Sequence, residues 1–337
     1  MALARPSTVR CLQFPWATPR FYFTSYSSVS LLPLIYTPFA TSARVFAWCM
    51  QWEWARWIFL RPVGVDSELS PLLGAYPESA IVVGSNSLRM KFILVLQPEA
   101  SASPEFIKFA NGNSLGRRDI RRERRMLNFL TRKMSIHGVI LPSVIAFNDA
   151  ASTCLQVSQV ECSRTGVSFK NAQTLDLHSA FEFSLSMLEQ TGKKKRRRST
   201  LYGFVERKIR QELGLDDYLR LGGSPTVDVC FAHCDLTPWN ARMCGDGDFM
   251  LIDLESARLH VPPFYDFVHF WYTHQMLLFK KSESQIVEEA IGLVHAYGGE
   301  FKAHLHVAIN FYFGLLYLRD KVSSDVILEL SVMGNTI

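Results

Sequence analysis

Residues 233–240, His-Cys-Asp-Leu-Thr-Pro-Trp-Asn, combine a carboxylate with an amide at a fixed spacing. Asp235 can accept a proton, and Asn240, five positions later, can offer an amide oxygen to a hard cation. Two short apolar runs follow, separated by residues 245–248, and the second run ends at Asp253. Asp-Gly between two such runs predicts a β-hairpin, which would fold Asp253 back beside Asn240. An amide oxygen and a carboxylate oxygen at one point are suitable ligands for Mg²⁺.

Phosphoryl transfer is the chemistry that requires these residue types together. The acceptor hydroxyl must be oriented, its proton must be accepted, and the charge on the β- and γ-phosphates must be neutralised. Asp235 is the candidate base, Asn240 and Asp253 are the candidate metal ligands, and Glu255 is a further ligand, directly or through water. The simpler interpretation of the segment is a polar surface turn between strands. The loop motif, the hairpin and Asp253 occur in the correct order, which argues against that interpretation.

In three segments the sequence resembles the aminoglycoside phosphotransferase and choline kinase family. Members of this family are small-molecule kinases with a protein-kinase-like fold. The three segments are residues 233–240, residues 251–255 (Leu-Ile-Asp-Leu-Glu) and residues 264–270 (Phe-Tyr-Asp-Phe-Val-His-Phe). The resemblance extends over residues 80–330 and is sharpest over 233–266. It implies ATP and Mg²⁺ as cofactors, and a supporting role for Asp266, which would brace the catalytic loop through backbone amides.

Two other residues of the loop bear on that resemblance. His233 is expected to be structural, packing the catalytic loop against the strand that ends at Asp253. Cys234 stands where many relatives carry glycine. The remaining histidines, including His269, have no metal-ligand spacing and are expected to be packing or surface residues.

A kinase of this kind needs a lysine on a strand to contact the nucleotide phosphates, and a helix glutamate to hold that lysine. Residues 106–110 alternate as a strand with Lys108 on one face. Residues 115–134 predict a helix whose apolar stripe includes Glu123. Because a carboxylate on an inward face requires a partner, we expect Lys108 to pair with Glu123, and Asp119 is the lesser candidate. Pairing of Glu123 with arginines of its own helix is the structural alternative.

The nucleotide-covering loop has the weakest pattern. Residues 81–96 predict strand, turn and strand, with Gly84, Ser85, Asn86 and Ser87 in the turn. These four residues are candidate phosphate contacts, although an ordinary hairpin turn fits equally well. Residues 161–166 would form a hinge that offers backbone groups to the adenine. ATP is the expected donor, and GTP stays open.

Beyond the hinge the pattern becomes helical. Apolar residues recur at three- and four-residue spacing over residues 175–190, 201–213, 265–279, 286–297 and 304–318. The predicted fold is α+β and bilobal, with a small lobe of five antiparallel strands and one helix and a larger, mainly helical lobe. The predicted domains are an N-terminal extension at 1–62, a nucleotide-binding lobe at 63–165, and a catalytic and substrate lobe at 166–337.

The N-terminal extension differs from the rest in composition. Residues 1–52 contain no Asp or Glu, and five of the seven tryptophans lie within residues 1–62. A docked or disordered extension is the expectation; an organelle-targeting segment and a membrane-surface contact are the alternatives. A predicted helix over residues 43–60 is short and is interrupted by Glu53 and Arg56, so we expect no transmembrane segment.

The basic run at residues 193–198, Lys-Lys-Lys-Arg-Arg-Arg, is expected to be an exposed loop between helices. Contact with a nuclear-import receptor, an anionic membrane or another polyanion is the functional alternative. The net charge of +5 is insufficient to indicate nucleic-acid binding. Seven cysteines without a Cys-x-x-Cys pair indicate reduced thiols and a cytoplasmic setting.

Three functions compete on this sequence. The first is an ATP- and Mg²⁺-dependent kinase that acts on the hydroxyl of a small molecule. The second is a protein kinase, which is disfavoured because Asp253 is followed by Leu-Glu, and because only 13 positions separate it from Asp266. The third is a nucleotide-binding pseudokinase. The acceptor stays open among aminoglycosides, amino alcohols, sugars and similar alcohols, and the sequence does not determine the oligomeric state.

Overall fold

The computed structural model describes part of the chain. The described residues are 9–14, 21–23, 48–50, 52, 61–65, 79–83, 92–96, 105–111, 115–134, 136–149, 153–159, 173–197, 201–219, 224–244 and 247–333. The chain divides into two compact units. Unit 1 is drawn from Met1–Arg132, Val139–Gln173 and Arg242–Glu255. Unit 2 is drawn from Lys133–Gly138, Thr174–Ala241 and Ser256–Ile337.

An eight-stranded antiparallel sheet dominates unit 1. Its strands are β1 (Val9–Phe14), β2 (Phe21–Phe23), β3 (Arg61–Val65), β4 (Ser79–Val83), β5 (Phe92–Leu96), β6 (Glu105–Asn111), β8 (Ser143–Asp149) and β9 (Thr153–Gln159). They lie in the order β3-β1-β2-β4-β5-β6-β9-β8. The five predicted strands are present as β4, β5, β6, β8 and β9. The sheet is wider than predicted because β1, β2 and β3, from the N-terminal region, extend it beside β4.

One helix, α1 (Leu115–Lys133), follows β6 in unit 1. Its buried stripe includes Ile120, Leu127 and Leu130, as the helical spacing predicts. Ile120 packs in one core cluster with Ala110 of β6 and Cys154 of β9. The helix therefore covers the face of the sheet on which the even-numbered side chains of β6 lie.

A short hairpin completes the described part of unit 1. It consists of β13 (Ala241–Met243) and β14 (Phe249–Leu251), and β14 also pairs in parallel with β7 (Val139–Ile140). The Cys244 amide donates to the Asp248 carbonyl at 2.7 Å across the turn. The predicted hairpin is confirmed: β13 begins directly after Asn240, and β14 ends two residues before Asp253.

Unit 2 is mainly helical. Its helices are α2 (Leu177–Thr191), α3 (Leu201–Leu213), α4 (Tyr265–His274), α5 (Glu283–Tyr297), α6 (Lys302–Tyr317) and α7 (Ser324–Met333). A short strand, β10 (Gln173–Thr174), precedes α2, and a three-stranded sheet has the order β11 (Lys193–Arg196), β12 (Thr226–Ala232), β15 (Arg258–Val261). The helix predicted over 265–279 is shorter, because α4 ends at His274 and a π turn, Gln275–Phe279, follows.

The prediction that residues 193–198 form a loop is wrong. Lys193–Arg196 is an edge strand that pairs antiparallel with β12, and Lys194 lies opposite Asp228. The Lys194 Nζ atom is 3.1 Å from an Asp228 carboxylate oxygen, an opposite-charge pair of the kind that stabilises adjacent strands. Charged side chains are common on sheet edges, where they remain hydrated and hinder pairing with other chains.

Several predictions fall on parts of the chain outside the described residues. These are most of the predicted helix at 43–60 and the predicted hinge at 161–166. Within the described part of the chain, no helix has both the length and the apolar character to cross a membrane.

Candidate active site

A buried ion-pair cluster lies between β6, α1 and the end of the hairpin in unit 1. The Lys108 Nζ atom donates to Glu123 Oε1 at 2.8 Å and to Glu123 Oε2 at 2.7 Å. It also donates to Asp253 Oδ1 at 2.5 Å. Lys108 is 5% exposed and Glu123 is 2% exposed, so this charge pair is almost withdrawn from water. The predicted pairing of Lys108 with Glu123 is confirmed, whereas a role in nucleotide binding stays a prediction.

Two arginines of α1 pair with a different carboxylate. Arg117 Nη2 lies 2.8 Å from Asp149 Oδ1, and Arg121 Nε lies 2.5 Å from Asp149 Oδ2. Helix geometry explains why Glu123 and Arg121 have different partners. Glu123 lies on the inward stripe with Ile120, whereas Arg121 points to solvent. Glu123 therefore remains available to Lys108.

The electrostatics of the cluster keep Lys108 charged. Burial acts to lower the pKa of Lys108, but the carboxylates of Asp253, Glu123 and Glu255 outweigh it, and the pKa is raised above that of an ordinary lysine. A fixed ammonium among carboxylates is the kind of group that can neutralise a phosphate oxygen. Glu255 contributes to this field from two residues beyond Asp253.

A buried carboxylate braces the loop at residues 233–240 in unit 2. Asp266, at the start of α4 and 2% exposed, accepts the His233 amide on Oδ2 at 2.7 Å and the Cys234 amide on Oδ1 at 2.8 Å. Burial raises the pKa of Asp266, and His233 and the two amide donors act in the opposite direction. The backbone contacts are those that the family resemblance implied for this residue.

The backbone of the loop is left-handed at Cys234, with φ of 61°. A non-glycine residue in this region costs about 1–2 kcal/mol, which explains why glycine suits the position. Asp253, in unit 1, has φ of 62° and is also left-handed. Left-handed non-glycine residues occur often at functional sites, where the surrounding contacts hold them.

Asp235 and Asn240 contact each other within the loop. The Asn240 Nδ2 atom donates to the Asp235 carbonyl at 3.0 Å and to Asp235 Oδ2 at 2.9 Å. Because the amide nitrogen faces Asp235, the amide oxygen of Asn240 is the atom that can serve a cation. Carboxylate and amide oxygens are the ligands that Mg²⁺ prefers, so the residue types and this orientation fit the predicted metal. Coordination of one ion by Asn240 and Asp253 together stays a prediction.

The remaining predicted site residues have mixed outcomes. His233 is fully buried in the loop, which agrees with a structural role. The proposed phosphate contacts Gly84, Ser85, Asn86 and Ser87 lie outside the described residues.

Two polar residues near these groups were not predicted as site residues. His269 was expected to be a packing or surface residue, but its Nε2 atom lies 3.4 Å from Asp235 Oδ1. Its position three residues after Asp266, one helical turn along, is the signal that could have identified it. Gln156 lies opposite Lys108 in the register of β6 and β9 and is fully buried. The register, which local sequence does not determine, places it there.

Comparison with known proteins yields only distant similarities. No family model matches the chain, and no curated protein sequence does. Among solved structures, the chain is similar to a thermostable mutant of an aminoglycoside phosphotransferase in its apo form, with 11% identity, a TM-score of 0.42, and coverage of 79% of this chain and 97% of the other. It is also similar to an ethanolamine kinase from Plasmodium vivax, with 13% identity, a TM-score of 0.38, and coverage of 89% and 95%.

A third similar structure is WbdD in complex with a kinase inhibitor, with 13% identity, a TM-score of 0.34, and coverage of 74% of this chain and 49% of the other. TM-scores of 0.34–0.42 and identities of 11–13% are too low to assign an activity, so the contacts within each unit must support any functional proposal.

Proposed function

We propose that this chain is a phosphotransferase that moves the γ-phosphate of ATP to a hydroxyl group of a small molecule, with Mg²⁺ as cofactor. The observation that supports it most directly is the cluster in which Lys108 is held by Glu123 and contacts Asp253. These residues come from a strand, a helix and the end of a hairpin, far apart in sequence. Buried ion pairs contribute little net stability. A functional role for the Lys108 cluster therefore explains its presence better than a stabilising role does.

The proposed roles follow the chemistry of each group. Asp235 accepts the proton of the acceptor hydroxyl, and the acceptor oxygen forms a bond to the γ-phosphorus. The bond from that phosphorus to the β,γ-bridging oxygen breaks, and ADP leaves with the electron pair. Lys108 holds phosphate oxygens, and Glu123 fixes the position of its ammonium. A bound Mg²⁺, with Asn240 and Asp253 as ligands and Glu255 as a further candidate, would supply charge neutralisation at the β- and γ-phosphates.

The described segment after Asp253 supports a small-molecule kinase over a protein kinase. A 3₁₀ turn at Leu254–Ser256 is followed by β15, Arg258–Val261, and α4 begins at Tyr265. This short ordered connection has no room for the long activation loop of a protein kinase. The acceptor is proposed at the level of class, namely an alcohol such as an aminoglycoside, an amino alcohol or a sugar.

The test is ATP consumption by the full chain, with and without a panel of alcohols, in Mg²⁺ and in a metal-free control. Asp235→Ala should lower the rate about 10²–10⁴-fold, because it removes the general base. Arg210→Ala, which removes an exposed side chain of α3 and its surface ion pair with Asp216, serves as the control and should keep the wild-type rate. Magnesium-dependent ATP binding with no turnover on any alcohol would instead favour the pseudokinase alternative.

A further inference from the structure

His269 connects the catalytic loop of unit 2 to a buried tyrosine. It lies on α4, and its Nε2 atom is 3.4 Å from Asp235 Oδ1. On the other side of the ring, Nδ1 is 3.0 Å from the hydroxyl oxygen of Tyr312, on α6. The imidazole therefore lies between a carboxylate that is 41% exposed and a hydroxyl whose residue is 4% exposed.

Tyr312 can set which ring nitrogen of His269 carries the proton. Burial raises the pKa of Tyr312 well above its usual value, and Tyr265, Tyr272 and Asp235 act in the same direction, so the hydroxyl keeps its proton. That hydroxyl can donate to Nδ1, and a neutral imidazole that accepts on Nδ1 carries its proton on Nε2. Nε2 is the nitrogen that faces Asp235.

On the side of the ring that faces Asp235, His269 lacks a hydrogen bond among the described residues. The His269 Nε2 atom is buried, and among the described residues it has no hydrogen-bond partner. Leaving a buried N–H without an acceptor is unfavourable, and the facing acceptor is Asp235 Oδ1, which lies 3.4 Å from Nε2 without forming a hydrogen bond. The other carboxylate oxygen, Oδ2, already accepts from Asn240 at 2.9 Å.

We propose that His269 is a positioning residue for the reaction, whose Nε2–H donates to Asp235 Oδ1 and fixes the carboxylate, while Tyr312 fixes the tautomer of His269. This inference rests on the proposed function, because Asp235 is the base of that reaction. Asn240 and His269 together hold Asp235 from both oxygens, so the half-exposed carboxylate presents one orientation to the acceptor hydroxyl. The remaining lone pairs of the carboxylate receive the proton.

The kinetic test uses the full chain with Mg-ATP and water as acceptor. His269→Leu removes the donor and should lower kcat about tenfold, with the KM for ATP changed less than about twofold. His269→Gln keeps an N–H that can reach Asp235 and should recover most of the rate. The matched control is His274→Leu on the same helix, whose ring lies beside Phe270 with Nδ1 3.3 Å from the Phe270 carbonyl oxygen, and which should leave kcat unchanged.

A spectroscopic test does not depend on turnover. Nitrogen-15 labelling of histidine in the full chain reports the tautomer of each ring, and the His269→Gln spectrum identifies the His269 signals. The expected result is an Nε2–H tautomer in the wild type and a mixture in Tyr312→Phe. A dominant Nδ1–H tautomer in the wild type overturns the proposal.

The two proposals fail in distinguishable ways. If wild type is active, Asp235→Ala is inactive and His269→Leu keeps the full rate, the role of His269 is refuted and the proposed function stands. If wild type consumes no ATP in any assay, the proposed function is refuted and the catalytic role of His269 with it, while the tautomer measurement still decides whether Tyr312 orients the ring. Loss of kcat in His269→Leu with rescue in His269→Gln supports both.

Discussion

Replacing Lys108 with methionine tests the buried cluster most directly. Methionine keeps most of the length and volume of the side chain and removes the ammonium group, with its charge and its hydrogen bonds to Glu123 and Asp253. Glu123, 2% exposed, would then be buried without the ammonium that binds both of its oxygens at 2.7–2.8 Å. Breaking a buried ion pair from one side typically costs about 3–5 kcal/mol, because an uncompensated charge remains. We expect Lys108→Met to lower the stability of unit 1 by this amount.

A second replacement separates the charge from the packing. In Lys108→Met/Glu123→Leu both charges are absent and the volume is filled by apolar groups, so most of the lost stability should return. Asp253 tolerates both variants better than Glu123 does, because its side chain is 20% exposed and can be hydrated. Arg121→Met, which removes an exposed ion pair with Asp149, is the control on the same helix and should change stability little.

The assay is native-state hydrogen exchange of amides in β6 and α1, whose slowest members report the free energy of opening that region. The pH dependence adds an independent check. Because the native pKa of Lys108 is raised, its contribution is present below the pKa of an unfolded lysine, about 10.4, and is lost as pH rises through the higher native value. The double variant should lack this alkaline loss. A cost for Lys108→Met no larger than that of Arg121→Met would refute the reasoning.

Three further changes have defined outcomes. Asp266→Ala should lower the free energy of unfolding of unit 2 by about 3 kcal/mol, because two buried amides lose their acceptor. Urea unfolding measures this loss, and a loss below about 1 kcal/mol would contradict the supporting role of Asp266. Cys234→Gly should be more stable than Cys234→Ala by about 1 kcal/mol in the same assay, because glycine relieves the left-handed strain; equal stability would count against it. Asp176→Ala should cost about 1 kcal/mol by removing the N-cap of α2. The amide and hydroxyl of Ser179 hold the pKa of Asp176 below its usual value. The stability difference between wild type and Asp176→Ala should therefore be present at neutral pH and fade as pH falls below about 4. If the difference persists at about pH 2, the charged cap is not its cause.

The sequence predicted those features that depend on local periodicity and short-range turn chemistry. Alternation along β6 places Lys108 on one face, and helical spacing along α1 places Glu123 on the inward stripe, so their pairing could be predicted before the fold was known. The Asp-Gly turn predicted the hairpin between β13 and β14 for the same reason, since the conformation of a tight turn depends on the residues within it.

The tertiary structure decided the features that arise from pairing between distant segments. The addition of β1, β2 and β3 to the sheet and the pairing of the basic run with β12 depend on edges that only the folded chain presents. From local charge and composition we expected a docked or disordered extension at residues 1–62 and a loop at residues 193–198. Charge and composition contain no information about the distant strand with which each segment pairs.

Around Asp235, some features could be predicted from the sequence and others were decided only by the tertiary structure. The sequence by itself identified Asp235 as the candidate base and Asn240 as the candidate metal ligand, because residue type and spacing are enough to propose such roles. Only the folded chain brings the imidazole of His269 to 3.4 Å from Asp235 and the hydroxyl of Tyr312 to 3.0 Å from that imidazole. Contacts between α4, α6 and the loop at residues 233–240 depend on how helices pack, and packing is a property of the whole core that no local pattern contains.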